Sequence, residues 1–138
     1  GVEIQRLLEG KLEHNKPDIG RMDRTRFYVC PHCSNILTST GQANVSCCGR
    51  RLKPLEPLQA TAAHQLKIEE IDIDSFVSID HTMAKDDYIA FIAYVKFDRV
   101  MIVRLYPEQE AQARLPLIRR GDTLYFYSTK EGLFRQRL

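Results

Sequence analysis

The sequence has no long apolar run, no marked excess of one charge, and no cysteine outside one short segment. Hydrophobic residues make up 43 % of the 138 positions, yet no run of them approaches the ~20 residues that a transmembrane helix needs. The net charge of +2 comes from 20 basic and 18 acidic side chains, so we expect no basic surface of the kind that binds duplex DNA. No secretory signal peptide is recognisable. We therefore expect a cytoplasmic protein with no membrane contact.

The cysteines carry the strongest signal, because all four lie between positions 30 and 48. They are Cys30, Cys33, Cys47 and Cys48. Four thiolates form a tetrahedral site that suits zinc or a single iron. Two disulfides or four free thiols are the alternatives. Disulfides are less expected without a secretory signal, and unrelated core thiols would not cluster, so we expect one zinc or iron ion in a four-cysteine site.

The residues around the cysteines predict tight turns. Pro31 and the Ser34–Asn35 pair open one metal-binding knuckle, and residues 41–44 supply a hairpin turn. Gly49 permits the unusual backbone that an adjacent cysteine pair needs when both thiols face one ion. Residues 26–60 are too few for a core of their own, so the metal is expected to supply most of their folding energy.

The rest of the chain predicts a mainly β fold. Residues 26–30 are predicted as a short strand that leads into the first knuckle, and residues 45–47 as the returning strand. Apolar alternation predicts further strands at 66–71, 76–79, 88–97, 100–106, 111–115 and 123–128. Turn signals recur roughly every ten residues and no long segment has a 3.6-residue period, which is typical of an antiparallel sandwich. We divide the chain into a helix end and linker (1–25), a metal-binding domain (26–60) and a β-sandwich (61–138).

Several of these segments resemble a known family. The segments Tyr28–Cys33 and Cys47–Gly49 resemble desulforedoxin, a small domain that binds one metal through four thiolates. Residues 64–138 resemble the superoxide reductase domain that follows it in desulfoferrodoxin. The matching segments there are residues 81–83, 88–92 and 132–134. The resemblance implies an immunoglobulin-like antiparallel β-sandwich for the second domain.

The same resemblance exposes replaced ligands. In that family four histidines and one cysteine hold a non-haem iron. The histidine positions fall on His64, His81, Asp87 and Glu131, the cysteine on Ser128, and a lysine before the first histidine on Ala63. A serine hydroxyl cannot push electron density onto iron as a thiolate does. The four histidine-position residues therefore form at most a vestigial, harder nitrogen–oxygen metal site, or are ordinary polar residues without a metal. We expect no catalytic residues.

The first ten residues carry a shorter resemblance. GVEIQRLLEG predicts the end of a helix with Ile4, Leu7 and Leu8 on one face. It resembles the last helix of a bacterial Cro/repressor-type helix-turn-helix domain. The chain begins at glycine without an initiator Met, so we expect an upstream domain to be missing, and DNA to be bound only through it.

These observations favour a non-catalytic metal-binding sensory or assembly domain of a bacterial transcriptional regulator. The alternatives are an iron-dependent superoxide reductase and a rubredoxin-like electron-transfer protein. A homodimer is also expected, because the knuckles are flanked by more apolar side chains than a small segment can bury. Those side chains could instead pack on the sandwich of their own chain. They are Phe27, Val29, Ile36 and Leu37.

Overall fold

The computed structural model describes residues 21–138. The predicted helix at residues 1–10 lies outside this range, as does most of the predicted linker. A short 3-10 turn at Met22–Arg24 is followed by twelve strands. They are β1 (Arg26–Val29), β2 (Ile36–Ser39), β3 (Val45–Cys47), β4 (Arg50–Leu52), β5 (Leu58–Gln59), β6 (Lys67–Ile71), β7 (Asp74–Ser78), β8 (Ile89–Val95), β9 (Val100–Arg104), β10 (Gln112–Pro116), β11 (Thr123–Ser128) and β12 (Gly132–Arg137).

Two sheets form the predicted sandwich, so the mainly β fold class is confirmed. One has the strand order β5-β12-β11-β8-β9 and the other β10-β7-β6. All pairs are antiparallel except β12 with β5. Apolar side chains of the two facing surfaces interdigitate into the main core, as alternation along the strands requires. That core includes Ile92, Tyr94, Leu115, Leu124 and Phe126.

The sequence pattern located most of the sandwich strands and missed four elements. The six segments predicted from alternation overlap β6 to β11, and the strands predicted at 26–30 and 45–47 correspond to β1 and β3. The missed strands are β2, β4, β5 and β12. The first three have four residues or fewer, too short for an alternating pattern to show. β12 carries Arg135, Gln136 and Arg137, whose polarity hid it.

The metal-binding segment adds a third layer on the five-stranded sheet. The Phe27 ring lies 5.5 Å from that of Phe91 and 5.0 Å from that of Tyr125, between ring centroids. Leu55 N–H also donates to the Phe27 carbonyl at 2.8 Å. Strand β8, between β11 and β9, is consequently buried at all seven positions. This two-sided burial explains why its sequence, IAFIAYV, is a continuous apolar run.

The surface predicted for dimer formation is largely used inside one chain. Phe27 is only 1 % exposed, and Val29 and Ile36 pack against the same cluster as Phe27. Leu37 is partly buried on the other side of β2. Within residues 21–138 no helix is long and apolar enough to cross a membrane.

Candidate metal centre

Two short hairpins bring the four cysteines together. Cys30 and Cys33 lie in the connection between β1 and β2, where Ser34 N–H donates to the Cys30 carbonyl at 2.9 Å and Cys30 N–H to the Asn35 carbonyl at 2.9 Å. Cys47 ends β3, and Cys48 lies in the turn to β4. These backbone bonds fold the first knuckle tightly enough to aim both its thiols at the second hairpin.

The four sulfur atoms have the spacing of a tetrahedral site. All four lie within 4.8 Å of one another. The Cys33–Cys47 Sγ distance is 3.5 Å and the Cys47–Cys48 Sγ distance is 3.9 Å. A tetrahedron with metal–sulfur bonds of about 2.3 Å has edges of about 3.8 Å. The cluster can therefore hold one zinc or iron ion, and the choice between the two metals stays open.

The adjacent cysteines depend on a turn with two left-handed residues. Cys48 has φ 54° and Gly49 has φ 72°, between the paired residues Cys47 and Arg50. A two-residue hairpin with both φ values positive is the type I′ turn, which normally takes Asn-Gly or Asp-Gly. A Cβ at Gly49 would meet nothing within 4 Å. Gly49 is therefore required for its backbone conformation rather than for space, as the sequence predicted.

The protonation of the thiols differs across the cluster. The pKa of Cys30 is lowered to about 6, chiefly by the backbone N–H of Cys33. The pKa of Cys47 is raised, chiefly by its contact with the Cys33 thiol. The same neighbour, followed by Cys30, raises the pKa of Cys48 to about 12. Crowded sulfurs thus retain protons that a metal ion must displace.

One face of the centre is open to solvent. Cys30 is buried, Cys47 is half-buried, and Cys33 and Cys48 are exposed. The Asn35 side-chain amide approaches Cys47 Sγ at 3.8 Å and donates to it. The sequence marked Asn35 as a turn residue and did not reveal this contact. Amides directed at sulfur stabilise bound thiolates and tune a metal centre.

The likeness to solved structures is clear in fold and low in sequence. The crystal structure of the superoxide reductase from Treponema pallidum aligns with a TM-score of 0.68. The alignment covers 80 % of this chain and 96 % of that one, with 14 % identity. No family model matches the chain, and no curated protein matches it. At this identity the comparison shows a superoxide reductase-like fold and nothing of the chemistry.

The proposed second metal site is split into two pairs, of which the first joins His64 and Glu131. His64 Nε2 lies 2.7 Å from Glu131 Oε2. The imidazole ring is stacked on Phe134, with centroids 5.2 Å apart and planes 3° from parallel. His64 follows β5, and Glu131 lies in the turn between β11 and β12. Ring stacking and the short contact between Nε2 and Oε2 hold the pair at the surface. Within residues 21–138 no third candidate ligand converges on it.

The second pair joins His81 and Asp87. His81 Nε2 lies 3.4 Å from Asp87 Oδ1, an ion-pair distance at which the buried oxygen makes no hydrogen bond. Met83 N–H donates to His81 Nδ1 at 3.0 Å. That bond leaves the proton of the neutral imidazole on Nε2, where it faces the carboxylate. Histidines that bind metals usually donate through their second nitrogen instead, so this arrangement does not suit Nε2 ligation.

The position expected for a thiolate has a structural role here. Ser128 is 2 % exposed and ends β11. Its Oγ accepts hydrogen bonds from the backbone N–H groups of Lys130 at 3.3 Å and Glu131 at 3.1 Å. Ser128 therefore closes the turn into β12.

The reductase iron does not fit the residues present. Among the described residues, the four cysteines are the group of three or more candidate ligands that converges on one point. His64, His81, Asp87 and Glu131 stay as two separate pairs, and the axial sulfur is absent. Metal binding by these four residues stays a prediction from the sequence.

Proposed function

We propose that this protein is a single-ion metalloprotein whose function resides in the four-cysteine centre, and that with iron bound it transfers single electrons. The convergence of four Sγ atoms within 4.8 Å carries this proposal. Iron with four thiolate ligands supplies a one-electron couple, set by hydrogen bonds to the sulfurs and by solvent exposure. Exposed Cys33 and Cys48 place that couple at the surface, where a redox partner can approach directly.

The shape around the centre agrees with exchange between proteins rather than with a small substrate. A cleft of about 750 Å³ is lined by residues of β1, β4 and the segment before β3. None of the four cysteines lines this cleft. The polar side chains that line the cleft, among them Arg26, Asn44 and Arg51, therefore do not surround the metal centre, as a substrate site for chemistry at the metal would require. Electron exchange requires only an accessible ligand edge.

Metal analysis with a visible spectrum tests the proposal. Protein purified without added metal is expected to contain one iron per chain, to be red when oxidised, and to bleach on one-electron reduction. A colourless protein with one zinc per chain would agree with metal binding by the four cysteines but would contradict the proposed electron transfer. Cys48→Asn, which removes one ligand, is the control and should lose the metal and the colour.

A regulatory role is the second candidate, supported by the loss of the reductase ligands. In that role the centre is a sensory or assembly element, and DNA binding belongs to another part of the regulator. The helix resemblance at residues 1–10 lies outside the described residues. Residues 21–138 are expected to show no sequence-specific DNA binding in a mobility-shift assay. Sequence-specific DNA binding by residues 21–138 themselves would contradict this division of roles.

Superoxide reduction is the remaining candidate, and the fold likeness is what favours it. The replaced residues oppose it, because Ser128 serves the β-turn and His81 accepts a backbone hydrogen bond. The rate at which iron-loaded protein consumes superoxide tests this candidate.

A further inference from the structure

The metal-binding segment carries positive charge and no negative charge. Residues 26–55 include four basic residues and no Asp or Glu. The four are Arg26, Arg50, Arg51 and Lys53, and all of them are exposed. In contrast, residues 56–138 have 13 acidic and 11 basic residues. Positive charge is therefore concentrated on this one segment, although the whole chain is close to neutral.

These four cations have no carboxylate beside them in the described part of the chain. Cations of the sandwich do have one: Lys96 Nζ lies 3.8 Å from Asp122 Oδ2, and Arg99 Nη2 lies 2.9 Å from Asp98 Oδ2. None of the ion pairs within residues 21–138 includes a basic residue of the metal-binding segment. The charge of this segment is thus left for an anion to neutralise.

Three of the four cations line one cleft, the cleft of about 750 Å³ described above. Arg26 lies on β1, whereas Arg51 lies on β4 and Lys53 follows it. Arg51 Nη2 donates to Asn44 Oδ1 at 2.8 Å, which holds the guanidinium in place. Among residues 21–138 no Asp or Glu lines this cleft. A cleft lined by charges of one sign focuses their field and concentrates ligands of the opposite sign.

We propose that this cleft binds a compound with two or three linked phosphates, such as a nucleoside diphosphate or triphosphate. Guanidinium groups bind phosphate oxygens through paired N–H groups, and lysine adds a point charge. The side-chain amides of Gln42 and Asn44 also line the cleft and supply further polar atoms. Its volume is in the range of sites for small organic ligands, and Leu52 and Pro54 add apolar surface for the organic group.

The cleft and the metal centre lie on the same two hairpins but use different residues. The β1–β2 and β3–β4 hairpins are separate two-stranded sheets, and each contributes cysteines to the cluster. None of the cysteines lines the cleft, so the phosphates are bound by side chains and not by the metal. The metal-loaded chain is the form expected to bind, because bonds to one ion fix the two hairpins relative to each other.

Calorimetric titration of the zinc-loaded 138-residue chain with inorganic triphosphate and with ATP tests the proposal. One ligand per chain is expected, with an affinity that falls as salt is added. Tighter binding of ATP would show that the organic group contributes, and equal binding that the phosphates alone are recognised. Absence of binding of both compounds at millimolar concentration overturns the proposal. Binding of poly-glutamate without binding of triphosphate also overturns it, since the cations would then serve an acidic protein.

Two neighbouring arginines of β4 provide a matched pair of variants. Arg51→Gln removes a charged donor from the cleft and should weaken triphosphate binding about tenfold or more, and Lys53→Gln should act in the same direction. Arg50→Gln removes the same charge from an exposed residue that does not line the cleft, and should weaken binding less than about threefold. All three variants keep the four cysteines, so removal of zinc by the phosphate compound would affect them equally. Equal weakening by Arg51→Gln and Arg50→Gln would reject the cleft as the binding site.

Discussion

Cys48 is both a candidate metal ligand and a residue with a left-handed backbone conformation. It supplies a sulfur to the cluster, and it adopts a left-handed backbone at φ 54°. A residue with a Cβ pays about 1 kcal/mol or more for that conformation. Metal binding must offset this strain, so the hairpin and the ion stabilise each other.

Cys48→Asn separates the two requirements. Asparagine is favoured at this position of a type I′ turn, so the β3–β4 hairpin is expected to persist while the metal is lost, because three thiolates remain. Gly49→Ala should do the reverse, keeping all four ligands and weakening metal binding about five- to tenfold through a backbone cost of about 1 kcal/mol. Competition with a chromophoric chelator measures both. Tight metal binding by Cys48→Asn would show that Cys48 is not a ligand.

Metal affinity should depend on pH with a definite sign. At pH 7.5 Cys30, whose pKa is about 6, is already a thiolate, whereas Cys47 and Cys48 have raised pKa values and hold protons. Binding should therefore release at least two protons per ion at this pH, and affinity should fall as the pH falls. Below pH 6 the fall should steepen, since Cys30 is then protonated as well. Calorimetry in buffers of different ionisation enthalpy counts the protons, and a release of none contradicts these pKa directions.

At the scale of elements, β8 determines how the layers are joined. Its Phe91 and Ala93 face the knuckle hairpin, and Ile92 and Tyr94 face the sandwich core. Phe27 of the hairpin contacts this strand through Phe91 and the neighbouring strand β11 through Tyr125. The metal-binding segment is thus supported by packing as well as by its ion.

Phe27→Ala is expected to lower the free energy of unfolding by about 3–5 kcal/mol, as removal of a buried aromatic ring does. Ile73→Ala, a truncation at an 82 % exposed side chain, should change it by less than about 0.5 kcal/mol. Urea denaturation of the zinc-loaded proteins gives both values. If Phe27→Ala changed the free energy of unfolding as little as Ile73→Ala, the knuckle hairpin would not pack on the sheet in solution.

Local signals predicted the cysteine cluster and the strand content, while contacts between distant segments could not be read from the sequence. The knuckles and the turn at Gly49 are formed by residues close together in sequence, so the spacing of the cysteines and the position of Gly49 were enough to predict them. The packing of Phe27 on Phe91 joins positions far apart in sequence. Replacement of a ligand by Ser128 was visible by resemblance, yet its two backbone hydrogen bonds depend on a turn that no pattern marked.

For the molecule as a whole, we expect a superoxide reductase-like fold without superoxide reductase activity. Iron-loaded protein should consume superoxide far more slowly than the diffusional range of about 10⁸ M⁻¹s⁻¹, because the resemblance implies that Ser128 stands at the axial thiolate position and Asp87 and Glu131 at imidazole positions. Pulse-radiolysis or stopped-flow assays measure this rate. Ser128→Cys alone should not restore it, since His81 and Asp87 remain paired. A rate near the diffusional range in the unmodified protein would refute the ligand argument.

The hairpin that lies across β8 also determines what the chain exposes when it lacks its ion. Without metal the knuckles are expected to lose one of their constraints, and a displacement of Phe27 would uncover Phe91 and Ala93, which are both fully buried. Chaperones and proteases recognise such newly exposed aromatic surface. The metal-free chain is therefore expected to be cleaved faster than the metal-loaded chain in limited proteolysis.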